Sequence, residues 1–262
     1  MPKILAASKN LIKQIKALQQ KKFRKRDGLF VVEGLRSVWS ALNAPKAELV
    51  YLLVEESTSL ESDVQALIAR VKVGVYLASA SDFERCSDVV HAQGILAVAK
   101  IPPIEGDVLK TCSRILTLNG VQDPGNVGTL IRTAAWFGID AVLADATTAD
   151  FFQSKVVRAT MGGIWDVHLF QTQNVTETLS GLKQSGFRIY AADLSGTPLN
   201  HWSPQIPATL IAGSEAHGVS NELRAICDEM VYISGAGNIG VESLNVAIAT
   251  SIITAAWAAS VG

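Results

Sequence analysis

Apolar and polar positions along the chain repeat with two periods, and the two alternate from end to end. Over residues 8–20, Leu11, Ile12, Ile15 and Leu18 share one helical stripe, with Lys9, Lys13 and Lys16 off it. "KKFRKRDG" then predicts a basic turn. "LFVVEG" reads as a strand, "LRSVWSAL" as a helix, "AELVYLLVE" as a strand, "ESDVQALIARV" as a helix, and "GVYLA" and "GILAVAKIPP" as strands. The Pro-Pro-Ile-Glu-Gly stretch at 102–106 reads as a linker, dividing the chain into residues 1–101 and 107–262.

The alternation then resumes. Strand "RILTLNGV" leads through the turn "QDPGN" to helix "VGTLIRTAAWFG". Strand "AVLA" precedes a helical stretch near 151–161. Strand "DVHLF", a helix near 175–185, strands "RIYAADL" and "ATLIAG", helix "SNELRAIC", strand "MVYIS" and a C-terminal helix complete the chain. Strands alternating with helices predict an α/β fold with a parallel sheet covered on both faces.

Composition narrows the classes. Hydrophobic residues make up 48% and charged residues 18%, enough for a sizeable core and against disorder. Cys86, Cys112 and Cys227 are far apart, and with four histidines they give neither zinc spacing nor a disulfide framework. That usage predicts a reducing, cytoplasmic compartment and no metal. The N-terminus lacks the continuous apolar core of a signal peptide. From Leu244 onward no residue is charged, but Asn245, Thr250, Ser251, Thr254 and Ser260 interrupt the run, against a membrane anchor of about 20 apolar residues.

Charge is uneven. The net formal charge is −1, yet Lys3, Lys9, Lys13, Lys16, Lys21, Lys22, Arg24, Lys25 and Arg26 crowd the first 26 residues without an acid. A basic arm on an acidic body suits either a polyanionic partner or a solvated helix face. Phe23 and Phe30, nearby, are candidates for stacking on bases, with burial the commoner fate of such residues.

Open parallel sheets bind ligands beyond the carboxyl ends of their strands, and three such ends carry unusual loops. In "NGVQDPGNVGTLIRTAAWFG", Asn126 reads as a helix cap, while Arg132 lies opposite the stripe of Val127, Leu130, Ile131 and Ala134. Such an arginine faces either a site or water. In "LIAGSEAHGVS", Gly213 and Gly218 bracket Ser214, Glu215 and His217 without forming a GxSxG nucleophile elbow. The third loop, "GAGNIG", leads to Glu242, Ser243 and Asn245 at the start of the final helix, more polar groups than a cap needs. Neither GxGxxG nor GxxxxGK[ST] occurs.

Together, in this order, "NGVQDPGNVGTLIRTAAWFGID", "VVRATMGGIWDVHLF", "LIAGSEAHGVS" and "ESLNVAIAT" resemble the SpoU (TrmH-like) branch of the SPOUT RNA methyltransferases. "KKFRKRDGLFVVEGLRSVWSAL" is similar to the ribosomal-protein-like α/β substrate-binding domain often fused in front. The resemblance implies a C-terminal parallel-sheet SPOUT domain with a deep trefoil knot, and a homodimer formed through it. It further implies methyl transfer from S-adenosylmethionine to a ribose 2′-OH of RNA. The front domain favours large-subunit ribosomal RNA over transfer RNA, in a housekeeping or an antibiotic-resistance role. A non-catalytic ribosome-assembly factor on the same fold is the rival reading.

Carried over by position, the resemblance implies catalytic roles for Asn126, Arg132, Glu215, Ser243 and Asn245. It implies cofactor contacts at Leu194, Gly213, Ile233 and Leu244. Lys21, Lys22, Arg24, Lys25 and Arg26 become candidate RNA contacts. Two departures stand out. "ISGAGNIG" replaces the family's Ile-Pro-Met, lengthening the Gly235–Gly240 loop beside Ile233, and Thr160 stands where serine is commoner.

Overall fold

The computed structural model describes residues 2–103, 107–237 and 240–260. Its first elements are β1 (Ile4–Ala6), α1 (Lys9–Ala17), α2 (Lys21–Asp27), β2 (Leu29–Glu33), α3 (Leu35–Asn43), β3 (Leu49–Glu55), α4 (Ser62–Arg70), β4 (Gly74–Ala78), α5 (Ala80–Glu84) and β5 (Ile95–Lys100). Then come α6 (Val108–Thr111), β6 (Arg114–Asn119), α7 (Pro124–Trp136), β7 (Ala141–Ala144), α8 (Ser154–Thr160) and β8 (His168–Gln171). The last are α9 (Val175–Gln184), β9 (Arg188–Pro198), β10 (Ala208–Gly213), α10 (Asn221–Ile226), β11 (Glu229–Tyr232) and α11 (Val246–Ser260). Residues 104–106 of the expected linker, and Asn238 and Ile239 of the long glycine loop, lie outside the described residues.

Two compact units form. One comprises Met1–Pro103 together with Asp150–Asp166, the other Ile104–Ala149 together with Val167–Gly262.

The first unit holds a five-stranded sheet in the order β1-β4-β3-β5-β2. Strands β1, β4 and β3 run parallel, but β5 is antiparallel to both β3 and β2. Alternation alone suggested parallel strands throughout. No long helix separates β4 from β5, only the five-residue α5, so the alternation that signals a parallel crossover is missing at that step. Ile12, Ile15, Val31, Leu53, Phe83 and Leu96 build a core between sheet and helices. The expected basic turn at "KKFRKRDG" is instead helix α2, closed by Gly28 at φ 65°.

Residues 150–166 complete this unit. Phe30 is fully buried, its ring centroid 4.9 Å from Phe152 and 5.6 Å from Trp165. Glu33, buried at the end of β2, accepts from the Ser87 hydroxyl and pairs with Arg158 of α8 at 3.3 Å. Gly162, at φ 100°, lies so close to Ser40 that a Cβ would collide with its side chain.

The second unit holds a six-stranded sheet in the order β11-β9-β10-β6-β7-β8, parallel throughout. Ile115, Leu143, Phe170, Leu179, Ile189, Ile211 and Leu223 pack one core. Thr117 and Thr209, both fully buried on neighbouring strands, satisfy each other's hydroxyls at 2.8 Å. Helix α11 packs on α7, where the Thr133 and Ser251 hydroxyls meet at 2.9 Å. At fifteen residues α11 is short of a bilayer span, and no described helix is long and apolar enough to cross a membrane.

Candidate active site at the strand ends of the second unit

Register brings the loops together. Strands β6 and β10 pair in parallel with Asn119 opposite Gly213, so the chain leaves both strands at the same edge. Strand β9 flanks β10, and β11 flanks β9. The three loops singled out in the sequence, after β6, β10 and β11, therefore leave the same edge of the sheet, the last of them one strand removed from the other two.

Asn126 is not the cap of α7. Asp123 fills that position, its carboxylate accepting from the Asn126 N–H at 3.0 Å, with Pro124 opening the helix. The Asn126 side chain is thereby released. Its Nδ2 donates to Glu215 Oε1 at 2.8 Å, and its Oδ1 accepts from Asn245 Nδ2 at 3.2 Å.

Asn245 is the residue that caps a helix. Its Oδ1 accepts from the N–H groups of Ala247 and Ile248 at 2.9 and 3.3 Å. Because that oxygen must accept, its amide nitrogen faces Asn126, whose own nitrogen must then face Glu215. One direction of donation thus runs from the start of α11 through two amides to a carboxylate. Glu242 and Ser243 precede α11 and do not begin it; both are exposed and make no side-chain hydrogen bond among the described residues.

The Glu215 loop is held by its backbone. Ser214 and Gly218 exchange two N–H···O bonds of 3.0 and 2.8 Å, and Gly218 takes φ 65°. A Cβ on Gly213 would collide with the Gly218 and Val219 backbone, so only glycine ends β10 this way. His217 is exposed on the same turn.

Arg132 lies on α7 about 9 Å of axial rise beyond Asn126. It is exposed and forms no hydrogen bond or ion pair among the described residues. Leu194 lies within β9, not after it. The β9–β11 ladder breaks between Ala191 and Thr197, and Leu194 sits on the intervening excursion, 73% exposed. Gly196, at φ 117°, allows the chain to return under the Met230 carbonyl. Ile233 follows β11 half-buried, and Leu244 is 46% exposed. The Thr160 hydroxyl is buried and donates to the Val157 carbonyl within its own helix.

A second set of groups escaped sequence reasoning. Asp145, just after β7, accepts from the Asn119 amide, the Gly120 N–H and the Thr147 and Thr148 hydroxyls. Burial pushes its carboxyl up, but those hydrogen bonds outweigh it and hold the group below the usual carboxylate range. Asn119 also accepts from the Ser220 N–H at 3.0 Å, tying the β6 end to the segment after β10. The Asn-Gly pair closing "RILTLNG" was the available signal. All three thiols are free, and burial raises each to about 11, so none is a nucleophile near neutrality.

In the first unit, Lys22, Lys25 and Arg26 are exposed and Lys21 is half-buried, its ammonium 3.9 Å from Asp150. Arg24 departs from the expected RNA contact. It is buried, donates to the Leu18 and Gln19 carbonyls at 2.7 and 2.9 Å, and pairs with Asp150 at 3.3 Å. Phe30 is likewise core and unavailable to a base.

Residues 113–255 match the model of the SpoU rRNA Methylase family, and residues 9–97 that of the MRM3-like substrate binding domain. The chain belongs to the SpoU family. Among its relatives is the Bacillus subtilis 23S rRNA (guanosine(2553)-2′-O)-methyltransferase RlmP, 32% identical over 97% of this chain and 98% of that protein. A TrmH-family protein from Porphyromonas gingivalis superposes with a TM-score of 0.82 at 35% identity, covering 96% and 98% of the two chains. An AdoMet-bound rRNA methyltransferase from Sinorhizobium meliloti gives 0.79 at 26% identity, covering 97% of each. The SpoU match includes residues 150–166, which fold with the first unit.

Proposed function

We propose that this protein transfers a methyl group from S-adenosylmethionine to a ribose 2′-OH of RNA, with large-subunit ribosomal RNA as substrate. The observation that carries this reading is the Asn245–Asn126–Glu215 chain, which joins three loops of a SpoU-family fold into one polar site. The named relative RlmP methylates a guanosine 2′-O in 23S rRNA, which supports the choice of substrate.

The methyl donor fits the neighbouring strand ends. Gly213 at the end of β10, the Leu194 excursion within β9 and Ile233 just after β11 belong to three adjacent strands, and Leu194 and Leu244 expose apolar surface of the kind an adenine covers. These four residues hold S-adenosylmethionine, which supplies an electrophilic methyl when bound. The protein's task is then to hold the ribose in line and ease loss of its proton. Positioning of this kind supplies about 7–11 kcal/mol in favourable cases.

Arg132 clamps the RNA phosphate and stabilises the emerging alkoxide. A guanidinium is a poor proton acceptor, so it serves as a charged donor and not as the base. Glu215, oriented by Asn126, directs the hydroxyl, and Ser243 completes the pocket. Lys21, Lys22 and Lys25 meet phosphates and give salt-sensitive affinity. RNA capture falls to residues 1–101 and methyl transfer to 107–262.

The same reading includes a trefoil knot and a homodimer through the second unit. Trp136, Ile248 and Ile252 are exposed large apolar side chains on α7 and α11, two helices that pack on each other, and a second copy would cover them. Action in the reducing cell interior accords with three unpaired cysteines.

The test is incubation of the full chain with radiolabelled S-adenosylmethionine and, separately, 23S rRNA, 16S rRNA and bulk tRNA, followed by mapping of alkali-resistant linkages. Label on a 23S ribose is expected. Label in tRNA alone would overturn the substrate. Donor binding without transfer to any RNA would favour the assembly-factor reading.

A further inference from the structure

Helix α2 carries two kinds of cation. Lys22 and Lys25 form no ion pair among the described residues and are exposed. Arg26 is different. Its Nε and Nη2 donate to the two carboxylate oxygens of Asp27 at 2.7 and 2.9 Å, which orients the guanidinium plane and offsets its charge. Its Cζ lies 4.8 Å from the centroid of the Phe23 ring, one helical turn back, and its side chain is 65% exposed. The Lys22 ammonium lies 4.7 Å from the same centroid.

A guanidinium held this way is a poor phosphate clamp, because the Asp27 carboxylate would repel the phosphate. What it offers outward is a flat π surface, backed by an aromatic ring. The mount is firm. Arg24 pins the α1–α2 junction by capping the Leu18 and Gln19 carbonyls, so the platform is presented by a fixed turn. Unstacked bases in single-stranded RNA are taken up on aromatic rings and on arginine planes.

We infer that Phe23, Arg26 and Asp27 form a stacking platform for an unpaired nucleobase, with Lys22 and Lys25 gripping the flanking phosphates. This rests on the RNA-methylating reading above and adds to it that the first unit selects looped-out, unpaired RNA over duplex.

The test uses the full-length protein, fluorescence anisotropy, and three probes: single-stranded oligoadenylate, single-stranded oligouridylate and a blunt RNA duplex. Arg26→Lys keeps the charge and removes the plane. It should weaken oligoadenylate binding about ten-fold, leave duplex binding unchanged and leave the salt slope unchanged. Asp27→Asn adds net positive charge, so a phosphate-binding Arg26 would bind every probe more tightly in that variant. A platform instead loses single-strand affinity as its plane loosens. Lys25→Ala should weaken all probes alike and lower the single-strand salt slope by about 0.7. Native-like binding by Arg26→Lys, or equal losses on duplex and single strand, overturns the platform alone. A native protein that binds S-adenosylmethionine but none of the three RNAs overturns the parent reading and the platform with it.

Discussion

Arg24 and Arg132 invite comparison, since both are helical arginines that the sequence offers to RNA. The structure treats them oppositely. Arg24 is buried, with two backbone carbonyls and Asp150 around its guanidinium. Arg132 stands exposed on α7 without a partner among the described residues. The difference begins in the chain nearby. Helix α1 ends only a few residues before α2 begins, which leaves the Leu18 and Gln19 carbonyls short of helical partners, and Arg24 folds back to satisfy them. Helix α7 is long and regular, its buried face filled by Val127, Leu130, Ile131 and Ala134, so Arg132 is driven outward. A cation with nothing to cap is free to do chemistry; one beside a broken helix junction is taken for structure.

The strongest way to break this contrast is to remove each arginine in turn. Arg132→Ala should cut kcat for methyl transfer by about 10²–10³-fold, the usual loss of one charge-stabilising donor, while S-adenosylmethionine binding and the unfolding midpoint stay unchanged. Near-native turnover would end its assigned role. Arg24→Ala should do the reverse. With Asp150, 15% exposed, left only the more distant Lys21 at 3.9 Å, and the Leu18 and Gln19 carbonyls left without their donor, about 2–4 kcal/mol of stability should go in urea unfolding, with kcat of the folded fraction intact. Unchanged stability, or a lost kcat, would erase the distinction between the two.

Asn126 sharpens the comparison at smaller scale, because it too was freed by a neighbour, Asp123, taking the cap. Asn126→Asp is isosteric but sets a carboxylate 2.8 Å from Glu215. Methyl transfer should fall about ten-fold at neutral pH and recover in part as acid protonates one of the two. A drop that persists unchanged into acid would show that the amide matters for its shape and not its charge.

Much of this was legible from the pattern. The three loops, Glu215 and Asn245 among them, followed from strands that end in glycine-rich or polar stretches. The helix-capping rule picked the right loop and the wrong residue, because both Asp123 and Asn126 are good caps and Pro124, suited to the first helical position, decides for Asp123. Arg24 was misread because periodicity reports which face a residue occupies and not whether a neighbouring helix end lacks a donor. The fate of residues 150–166 was beyond local reasoning. Their apolar residues Phe152 and Trp165 look like any helix packing on its own sheet, yet they close over Phe30 in the first unit. Removing residues 1–100 would therefore strip the cover from that segment, and point variants test RNA binding more cleanly.

The smallest effect expected is acid sensitivity, and it separates the second unit's scaffold from the loops of the proposed site. Burial favours the neutral acid, but Asp145 resists protonation because the Thr148 and Thr147 hydroxyls and the Thr148 and Gly120 N–H groups favour its ionised form more strongly. Its folded pKa thus lies below the unfolded value of about 3.9. The stability it contributes is fully present above that value and is lost as pH falls through it toward the folded pKa. Unfolding midpoints measured downward from neutrality should hold steady and then drop below about pH 4. Asp145→Asn should lower the neutral midpoint modestly and flatten that acid drop, because one fewer proton is taken up on unfolding. An acid limb as steep as the native one would mean that other carboxylates, Asp228 with its Ile189, Lys183 and Arg188 partners first among them, carry the transition. The Asn119 turn would then be held by geometry and not by charge.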